Sequence, residues 1–206
     1  MSPTNLQNLR PDLAIIQQWI QPDSQVLDLG CGEGMLLSYL KEHKNVRGYG
    51  LEINPDKITA CIANGVNVVE QDLNNGLYNY KDNSIDTVVM TQALQAVQRP
   101  DELLDEMLRV GDEAIVTFPN FGHWRTRMYL ALKGRMPMSE TLPHEWYNTP
   151  NIHLCTVTDF EELCAQKKIR ILSKTVVDAL HQEHWAIRLW PSLLGEFAIY
   201  HLTRRS

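Results

Sequence analysis

Between residues 11 and 118, the apolar and polar positions form two kinds of pattern, one typical of buried strands and the other typical of helices. Short apolar runs rich in β-branched residues predict strands, because a strand covered on both faces is apolar throughout. The predicted strands are 26–29, 46–53, 66–69, 85–90 and 114–118. Apolar residues three or four positions apart predict helices between the strands. The predicted helices are 11–20, 35–42, 55–63 and 100–108.

Residues 121–156 depart from this alternation. They have no clear strand pattern, and they hold three of the seven histidines and two of the five tryptophans. We expect them to form a lid or an insertion that docks a partner. No acidic residue occurs between positions 115 and 139, where the cations are Arg125, Arg127, Lys133 and Arg135. These cations, with Trp124 and Tyr129, indicate either a solvated helix face above a buried stripe or a docking surface.

The end of the chain returns to regular structure. Thr158 and Glu161 have the spacing of a capping box, which predicts the start of a helix that ends near Lys167. The apolar runs 169–177 and 197–202 predict two last strands that pair like a hairpin. Strands that alternate with helices over short connections predict a parallel sheet with right-handed crossovers. The expected fold is α/β, with a mostly parallel seven-stranded sheet flanked by helices.

Composition narrows the classes of protein that fit this pattern. The 206 residues fit one domain, which we predict to span 1–206, and 44% hydrophobic residues exclude disorder as the main state. A net charge of −6 disfavours nucleic acid as a partner. We also expect no membrane interaction and no secretory signal. Four scattered cysteines without a CxxC pair are typical of reduced thiols, so we expect a cytoplasmic protein.

The predicted strand 26–29 runs directly into the turn 30–34, whose sequence is Gly-Cys-Gly-Glu-Gly. Glycines at such a turn let backbone N–H groups approach a ligand and point the next helix at it. Glu52 follows Asp28 by 24 residues and ends the second strand, where a carboxylate can accept both hydroxyls of a ribose. Asp72 follows the third strand and is placed to accept an adenine amino group. The pattern therefore predicts a site for a nucleotide or nucleoside.

Two ligand classes compete for such a site. A dinucleotide fingerprint needs a small residue at the position that Met35 occupies in this chain. The third glycine of this chain comes one position earlier, at Gly34. Asp28 would repel a pyrophosphate, but it suits the ammonium and sulfonium of S-adenosylmethionine. The alternative without a ligand is that Asp28 caps the turn while Glu52 and Asp72 are solvated loop residues.

Several segments resemble known proteins. The turn 28–34, Glu52, Asp72 and the strand 85–90 resemble class I S-adenosylmethionine-dependent methyltransferases. Further segments are similar to the MetW family of methionine-biosynthesis proteins, and these are 91–97, 99–102, 106–111, 118–125 and 145–156. The resemblance covers about residues 9–178. It implies a Rossmann-like class I fold whose last strand is antiparallel, and a role beside homoserine O-acyltransferase.

The resemblance also assigns a cofactor site for S-adenosylmethionine or S-adenosylhomocysteine. The expected cofactor-binding residues are Asp28, Gly30, Cys31, Gly32, Gly34, Glu52, Ile53, Asp72, Leu73 and Gln92. One departure from ordinary methyltransferases concerns the segment after Arg109 and Val110. They usually have Leu-x-Pro-Gly-Gly there, whereas this chain continues directly with Gly111-Asp112-Glu113. The shorter rim leaves open whether methyl transfer occurs.

No residue has the neighbours that identify a catalytic base for methyl transfer. The candidates His123, His153 and Tyr147 all lie in the segment 121–156. Histidines that only make structural hydrogen bonds fit equally well, and His153 with Cys155 does not form a zinc motif, so we expect no metal. Two functions therefore remain open. One is an accessory protein of methionine biosynthesis that acts with homoserine O-acyltransferase. The other is a methyltransferase acting on an unidentified small molecule.

Overall fold

Seven strands and eight helices alternate along the chain in the computed structural model, which describes residues 10–138, 144–178 and 185–204. The strands are β1 (Gln25–Leu29), β2 (Arg47–Glu52), β3 (Val68–Glu70), β4 (Ile85–Thr91), β5 (Gly111–Pro119), β6 (Arg170–Val177) and β7 (Phe197–Thr203). The helices are α1 (Pro11–Trp19), α2 (Met35–Lys44), α3 (Pro55–Ala63), α4 (Pro100–Val110), α5 (Trp124–Lys133), α6 (Val157–Gln166), α7 (Trp185–Leu189) and α8 (Pro191–Leu194). Short 3₁₀ turns cover Leu73–Asn75 and Leu94–Ala96.

The strands form one sheet in the order β3-β2-β1-β4-β5-β7-β6. The first five strands are parallel to one another, whereas β7 runs antiparallel to both of its neighbours, β5 and β6. The expected α/β fold, with a mostly parallel seven-stranded sheet and an antiparallel last strand, is confirmed. Since β1, β2 and β4 are parallel neighbours, their carboxyl ends open at one edge of the sheet.

Both faces of the sheet are covered, and successive residues of β5 show how. Val116 and Phe118 face a layer that includes α4 and α6, where Phe118 lies 4.9 Å from the ring of Phe160. Ile115 faces the other layer, with Ile16 of α1 and Leu40 of α2. A central strand covered on both sides is apolar throughout, which explains why its sequence does not alternate. Its connection to α4 is direct, because α4 ends at Val110 and β5 begins at Gly111.

Several predicted boundaries were wrong by two or three residues: β5, for example, begins at Gly111 and not at residue 114. Two of the differences have a clear local cause. The helix that we placed after Thr158 begins earlier, because Thr156 is its N-cap and forms the capping box with Asp159. The third strand begins later than residue 66, because the Val66 N–H donates to the carbonyl of Cys61 in the turn that follows α3. Both differences are local and leave the order of elements unchanged.

In the part of the predicted insertion 121–156 that the structure describes, there is one regular helix, α5. Residues 139–143 of this insertion lie outside the described residues, as do the ends of the predicted domain at 1–9 and 205–206. Within the described ranges, no helix combines the length and the apolar character needed to cross a membrane.

Candidate functional site

A cavity of about 900 Å³ opens at the carboxyl ends of β1, β2 and β4. Nine of the ten residues that the sequence assigned to the cofactor line it, and they are Asp28, Gly30, Cys31, Gly32, Glu52, Ile53, Asp72, Leu73 and Gln92. The remaining one, Gly34, is buried behind the turn. The sheet order brings these residues together, because they follow four adjacent strands.

The glycine turn depends on two glycines for different reasons. Gly30 has φ +71°, and a Cβ there would lie 3.3 Å from the Cβ of Ala93 across the cavity floor. Gly34 has φ +75° and is the N-cap of α2. A Cβ on Gly34 would lie 3.0 Å from the Cys61 sulfur and 3.1 Å from Val66. Gly34 therefore allows α2 to pack closely on α3, and it contributes no surface to the cavity.

Asp28 is the most deeply buried of the acidic residues that line the cavity. Its side chain is 2% exposed, and its Oδ1 has no hydrogen-bond partner among the residues that the structure describes. Burial raises the pKa of the Asp28 carboxyl to about 7, an effect that the Arg10 guanidinium opposes and the Glu52 carboxylate reinforces. A buried carboxylate oxygen without a hydrogen-bond partner is rare in folded proteins and is typical of functional sites.

Glu52 holds the glycine turn in place. Its Oε2 accepts the Gly32 N–H at 3.0 Å, while its Oε1 accepts the N–H groups of Ile53 at 2.9 Å and Asn54 at 3.0 Å. A carboxylate has about four lone-pair positions, so these three bonds leave Oε2 able to accept another donor. Glu52 therefore combines a structural role with a free acceptor position in the cavity, a combination that the sequence did not indicate.

Asp72 and Gln92 are both fixed by local hydrogen bonds. The Oδ1 of Asp72 accepts the backbone and side-chain N–H groups of Asn74, each at 2.9 Å, and so caps the following 3₁₀ turn. Gln92 has a left-handed backbone with φ +52°, held by its N–H, which donates to the hydroxyl of Thr117 at 2.9 Å. A non-glycine residue in this conformation is strained, and such residues cluster at functional sites.

The Cys31 thiol is not placed to act as a nucleophile. Its Sγ lies 3.6 Å from the Sγ of Cys61. Burial, followed by the nearby Asp28 carboxylate, raises the pKa of the Cys31 thiol far above its ordinary value. A protonated thiol is a poor nucleophile, so the cavity offers no activated cysteine at this position.

The three candidate bases lie outside the cavity lining. His123 is buried at the N-cap of α5, where burial and then Arg125 lower its pKa. His153 is exposed, and its Nε2 lies 3.1 Å from the carbonyl oxygen of Gln98. Tyr147 is 66% exposed. From the segment 121–156, the residues that do line the cavity are Pro150 and Asn151.

Sequence reasoning missed eight polar residues of the cavity. They are Arg10, Glu33, Asn54, Lys57, Gln71, Asn74, Thr91 and Asn151. Asn54 is the N-cap of α3 and accepts the N–H groups of Asp56 and Lys57, so its place two residues after Glu52 was a usable signal. Arg10 and Asn151 reach the cavity through tertiary packing, for which the sequence has no local sign. Among the described ranges, no cluster of three or more His, Cys, Asp or Glu side chains is arranged to hold a metal.

A second cavity, of about 310 Å³, lies beside the first and shares Asn151 with it. Phe121, Met136, His144 and Trp146 are among its lining residues. The second cavity therefore lies between the start and the end of the insertion, next to the main cavity.

The helix α5 is exposed on most of its surface. Thr126 is its one buried residue. Large apolar side chains are exposed along it, from Trp124 at 44% through Met128 at 47% to Leu132 at 74%. Of the two interpretations of this segment, a solvated face above a buried stripe is wrong, because there is no buried apolar stripe on α5.

Comparisons with known proteins agree with this architecture. An S-adenosylmethionine-dependent methyltransferase from Archaeoglobus fulgidus is 16% identical to this chain in sequence, and its structure superposes with a TM-score of 0.68. The match covers 97% of this chain and 94% of that one. The plantazolicin methyltransferase BpumL in complex with SAH is 15% identical with a TM-score of 0.63, over 99% of this chain and 86% of that one. The fold is therefore that of the class I, Rossmann-like methyltransferases.

A relative in sequence gives a more specific result. The bifunctional methionine biosynthesis protein MetXA/MetW of Rhodopirellula baltica is 36% identical over a match of 172 residues, and the match covers 79% of this chain. The match spans 28% of the length of that relative. The family described as "Methionine biosynthesis protein MetW" matches residues 10–202. The chain therefore belongs to the MetW family of methionine-biosynthesis proteins.

Proposed function

We propose that this protein binds S-adenosylmethionine or S-adenosylhomocysteine in the main cavity and acts in methionine biosynthesis beside homoserine O-acyltransferase. The observation that carries the first part is the buried Asp28 carboxylate, whose Oδ1 has no partner among the described residues. Leaving a buried charge unpaired destabilises the folded protein. A ligand ammonium at this carboxylate would offset that cost.

The residues of the cavity fit this cofactor in charge and in space. Acidic groups at the ends of three adjacent strands suit a ligand with an ammonium, ribose hydroxyls and an amino group, and they would repel a pyrophosphate. A Cβ on Gly32 would meet nothing within 4 Å, so the backbone of the turn faces open space. When bound, S-adenosylmethionine supplies a methyl group already activated on a sulfonium. In this proposal Asp28 holds the ammonium, Glu52 the ribose hydroxyls and Asp72 the adenine amino group.

Calorimetry tests the choice of ligand. We expect S-adenosylmethionine and S-adenosylhomocysteine to bind the purified protein, and we expect no heat from NAD under the same conditions. The expectation follows from Asp28 and Glu52, which would face the phosphates of NAD with like charge. Binding of NAD without a response to S-adenosylmethionine would overturn the assignment.

Substitution of Glu52 separates its two roles. Glu52→Gln loses the charge but keeps a carbonyl oxygen that can still accept hydrogen bonds from N–H groups of the turn. We therefore expect roughly tenfold weaker binding of S-adenosylhomocysteine. Glu52→Ala removes all acceptors, and we expect a loss on the order of 1.5–3 kcal/mol, up to roughly a hundredfold. It should also lower the melting temperature, because three N–H groups lose their acceptor. Unchanged affinity in both folded variants would remove Glu52 from the ligand site.

The family and its fused relative support the proposal of a partner. The protein of Rhodopirellula baltica carries MetXA and MetW in one chain. We take the MetXA part to be the homoserine O-acyltransferase that the family resemblance implies. Two activities fused in one organism are often separate, interacting chains in another. We infer that the acyltransferase is the partner of this chain.

The exposed surface of α5 supports a contact with that partner. Exposed Trp and Met side chains beside arginines are typical of interface centres. Arg125 is 72% exposed along its side chain, its guanidinium lies 5.6 Å from the ring centroid of Trp124, and its Nη1 lies 4.0 Å from a carboxylate oxygen of Glu196. The other arginine, Arg127, donates from its Nε to the carbonyl of Gly122 at 2.5 Å. Trp124 and the exposed part of Arg125 are the groups that we expect to face a partner.

The contact surface is connected to the cofactor cavity. The Phe121 N–H, three residues before α5, donates to the carbonyl of Cys155 at 3.0 Å. The His153 N–H donates at 3.0 Å to the carbonyl of Gln95, in the turn that follows β4. Pro150 and Asn151 of the same stretch line the cavity. A partner docked on α5 would thus touch a segment that also forms one wall of the cofactor site.

A second candidate function is methyl transfer to a small molecule, and the second cavity favours it. That cavity shares Asn151 with the cofactor site and is lined by Phe121 and Trp146, which would pack against an apolar acceptor. Its volume of about 310 Å³ suits a small molecule. Incubation with S-adenosylmethionine labelled on the methyl group, plus a cell extract freed of macromolecules, distinguishes the two functions. Turnover with a small-molecule product supports methyl transfer, whereas binding without turnover supports the accessory role.

A further inference from the structure

The second cavity differs from the main cavity in the charge of its walls. The described residues that line it include no Asp, Glu, Lys or Arg. Among them His144 is the one titratable residue, and an imidazole can donate or accept a hydrogen bond without carrying a charge. The main cavity, in contrast, is lined by carboxylates such as Asp28 and Glu52 and by the cations Arg10 and Lys57. The two cavities therefore suit ligands of different charge.

Apolar side chains around the second cavity are exposed to solvent. Trp146 is 73% exposed and Ile152 is 54% exposed, although both belong to the lining. The rings of Trp146 and Tyr147 meet at 87° with their centroids 5.6 Å apart, so Tyr147 does not stack on Trp146. Covering such apolar surface is favourable, and aromatic side chains pack well against flat rings. The walls therefore favour a ligand with a flat apolar body.

Asn151 is the polar residue that the two cavities share. Its backbone N–H donates to the hydroxyl of Thr149 at 3.0 Å, whereas its side-chain amide makes no hydrogen bond to a residue that the structure describes. An amide side chain carries two N–H donors and an acceptor oxygen. Asn151 can therefore bond to one polar group of a ligand at the boundary with the main cavity.

We propose that the second cavity binds an uncharged small molecule with a flat apolar body, whose polar group bonds to Asn151 beside the cofactor. A charged group, such as a phosphate or the two charges of a free amino acid, would lose its hydration there without gaining a partner of opposite charge. The volume of about 310 Å³ is at the lower end of the range for ligand pockets. This inference deepens the second candidate function by naming the class of the acceptor, and it rests on the proposed function in placing the cofactor next to it.

The test uses indole as the neutral probe and indole-3-carboxylate as a charged probe of similar shape. The full chain is titrated with each probe by ligand-observed NMR, without and with saturating S-adenosylhomocysteine. We expect indole to bind under both conditions, because the cofactor occupies the other cavity. We expect indole-3-carboxylate to bind at least about tenfold more weakly.

Two variants locate the bound probe. Trp146→Ala should weaken the binding of indole about tenfold. Trp185→Ala is the matched control and should leave it unchanged, because Trp185 is 74% exposed on α7 and lines neither cavity. Ile152→Lys tests the cause of the selectivity. It should bind indole-3-carboxylate more tightly than the wild-type protein does, and indole no more tightly, because a cation then faces the probe.

The outcomes separate this inference from the proposed function. Calorimetry with S-adenosylhomocysteine, run on the same preparation, reports on the main cavity alone. If that ligand binds but it displaces indole, or if both probes bind equally, or if Trp146→Ala changes nothing, the inference is wrong and the proposed function stands. If that ligand does not bind, the proposed function is wrong, whereas selective binding of indole that depends on Trp146 would still support the second cavity as a site for uncharged ligands.

Discussion

Asp28→Asn is expected to stabilise the unliganded protein while removing most of its affinity for S-adenosylmethionine. Burial raises the pKa of the Asp28 carboxyl from 3.8 to about 7, which corresponds to about 4 kcal/mol of free energy of unfolding lost when the group is ionised. The amide has nearly the same shape and carries no charge. Because water in the cavity screens part of the charge, we expect a gain of about 2–4 kcal/mol at pH 8. In a chain of this size that raises the melting temperature by roughly 5–10 °C.

The pH dependence identifies the carboxyl as the cause. A raised pKa means that the folded protein binds the proton more tightly than the unfolded chain does, so wild-type stability falls as the pH rises from about 4 to about 7. The gain in stability of Asp28→Asn over the wild-type protein should therefore be fully present above pH 7. At pH 5 it should be less than half as large. Thermal melts of both proteins at pH 5 and pH 8 measure this difference. An equal advantage at both pH values would contradict the explanation.

Ligand binding should change in the opposite direction. Removing one partner of a buried charge pair costs about 2–4 kcal/mol, so we expect S-adenosylmethionine to bind Asp28→Asn roughly 30 to 1000 times more weakly. In the wild-type protein, affinity should fall about tenfold for each pH unit below 7, because the ligand must then displace a proton from Asp28. Asp72→Asn is the matched control for stability, since the Asp72 side chain is half-buried and hydrogen-bonded to Asn74. A variant that is stabilised and binds normally would show that Asp28 is not part of the site.

The part of the site that could be predicted is the part that local sequence determines. Asp28, Gly30 and Glu52 sit at the ends of strands, and the parallel order of β1 and β2 places those ends side by side. The strand pattern and the turn were therefore sufficient to find them. Glu52 was found from its charge and from its place at the end of the second strand. Its bonds to three backbone N–H groups depend on how the turn folds back over β2, which no sequence pattern reveals.

Where the sequence offered equivalent alternatives, burial decided between them. Thr156 with Asp159 and Thr158 with Glu161 have the same capping-box spacing. The first is used because a helix that begins at Val157 buries Val157 and Phe160, which are 2% and 1% exposed. Arg10 could not be predicted, because it reaches the cavity only once α1 has packed against α2 and β7.

Trp124→Ala is expected to abolish stable association with homoserine O-acyltransferase without unfolding the protein. The Trp124 side chain is 44% exposed and is not part of the buried core, so its truncation should change the stability of the fold little. Tryptophan at the centre of an interface is often worth 2 kcal/mol or more, which corresponds to about thirtyfold weaker binding. Coexpression of the two proteins and copurification on a tag carried by the acyltransferase measures the loss. Ile62→Ala is the matched control, because Ile62 is 66% exposed on α3, which packs against β2 and β3 at the other end of the sheet from α5.

Arg125→Glu should act on the rate of association more than on dissociation. Arg125 is exposed, although its guanidinium lies 4.0 Å from the Glu196 carboxylate, and α5 carries further cations without an acidic neighbour in sequence. This surface would therefore steer an acidic partner. We expect the charge reversal to slow association and to weaken its dependence on salt, whereas Trp124→Ala should speed dissociation. Lys81→Glu reverses a charge before β4, at the opposite edge of the sheet, and should change neither rate. Asp28→Asn should still copurify with the acyltransferase, because its substitution lies inside the cavity. If Trp124→Ala and Arg125→Glu both bind the acyltransferase as the wild-type protein does, α5 is not the docking surface, and the segment 121–156 is left with the alternative role of a lid over a small-molecule acceptor.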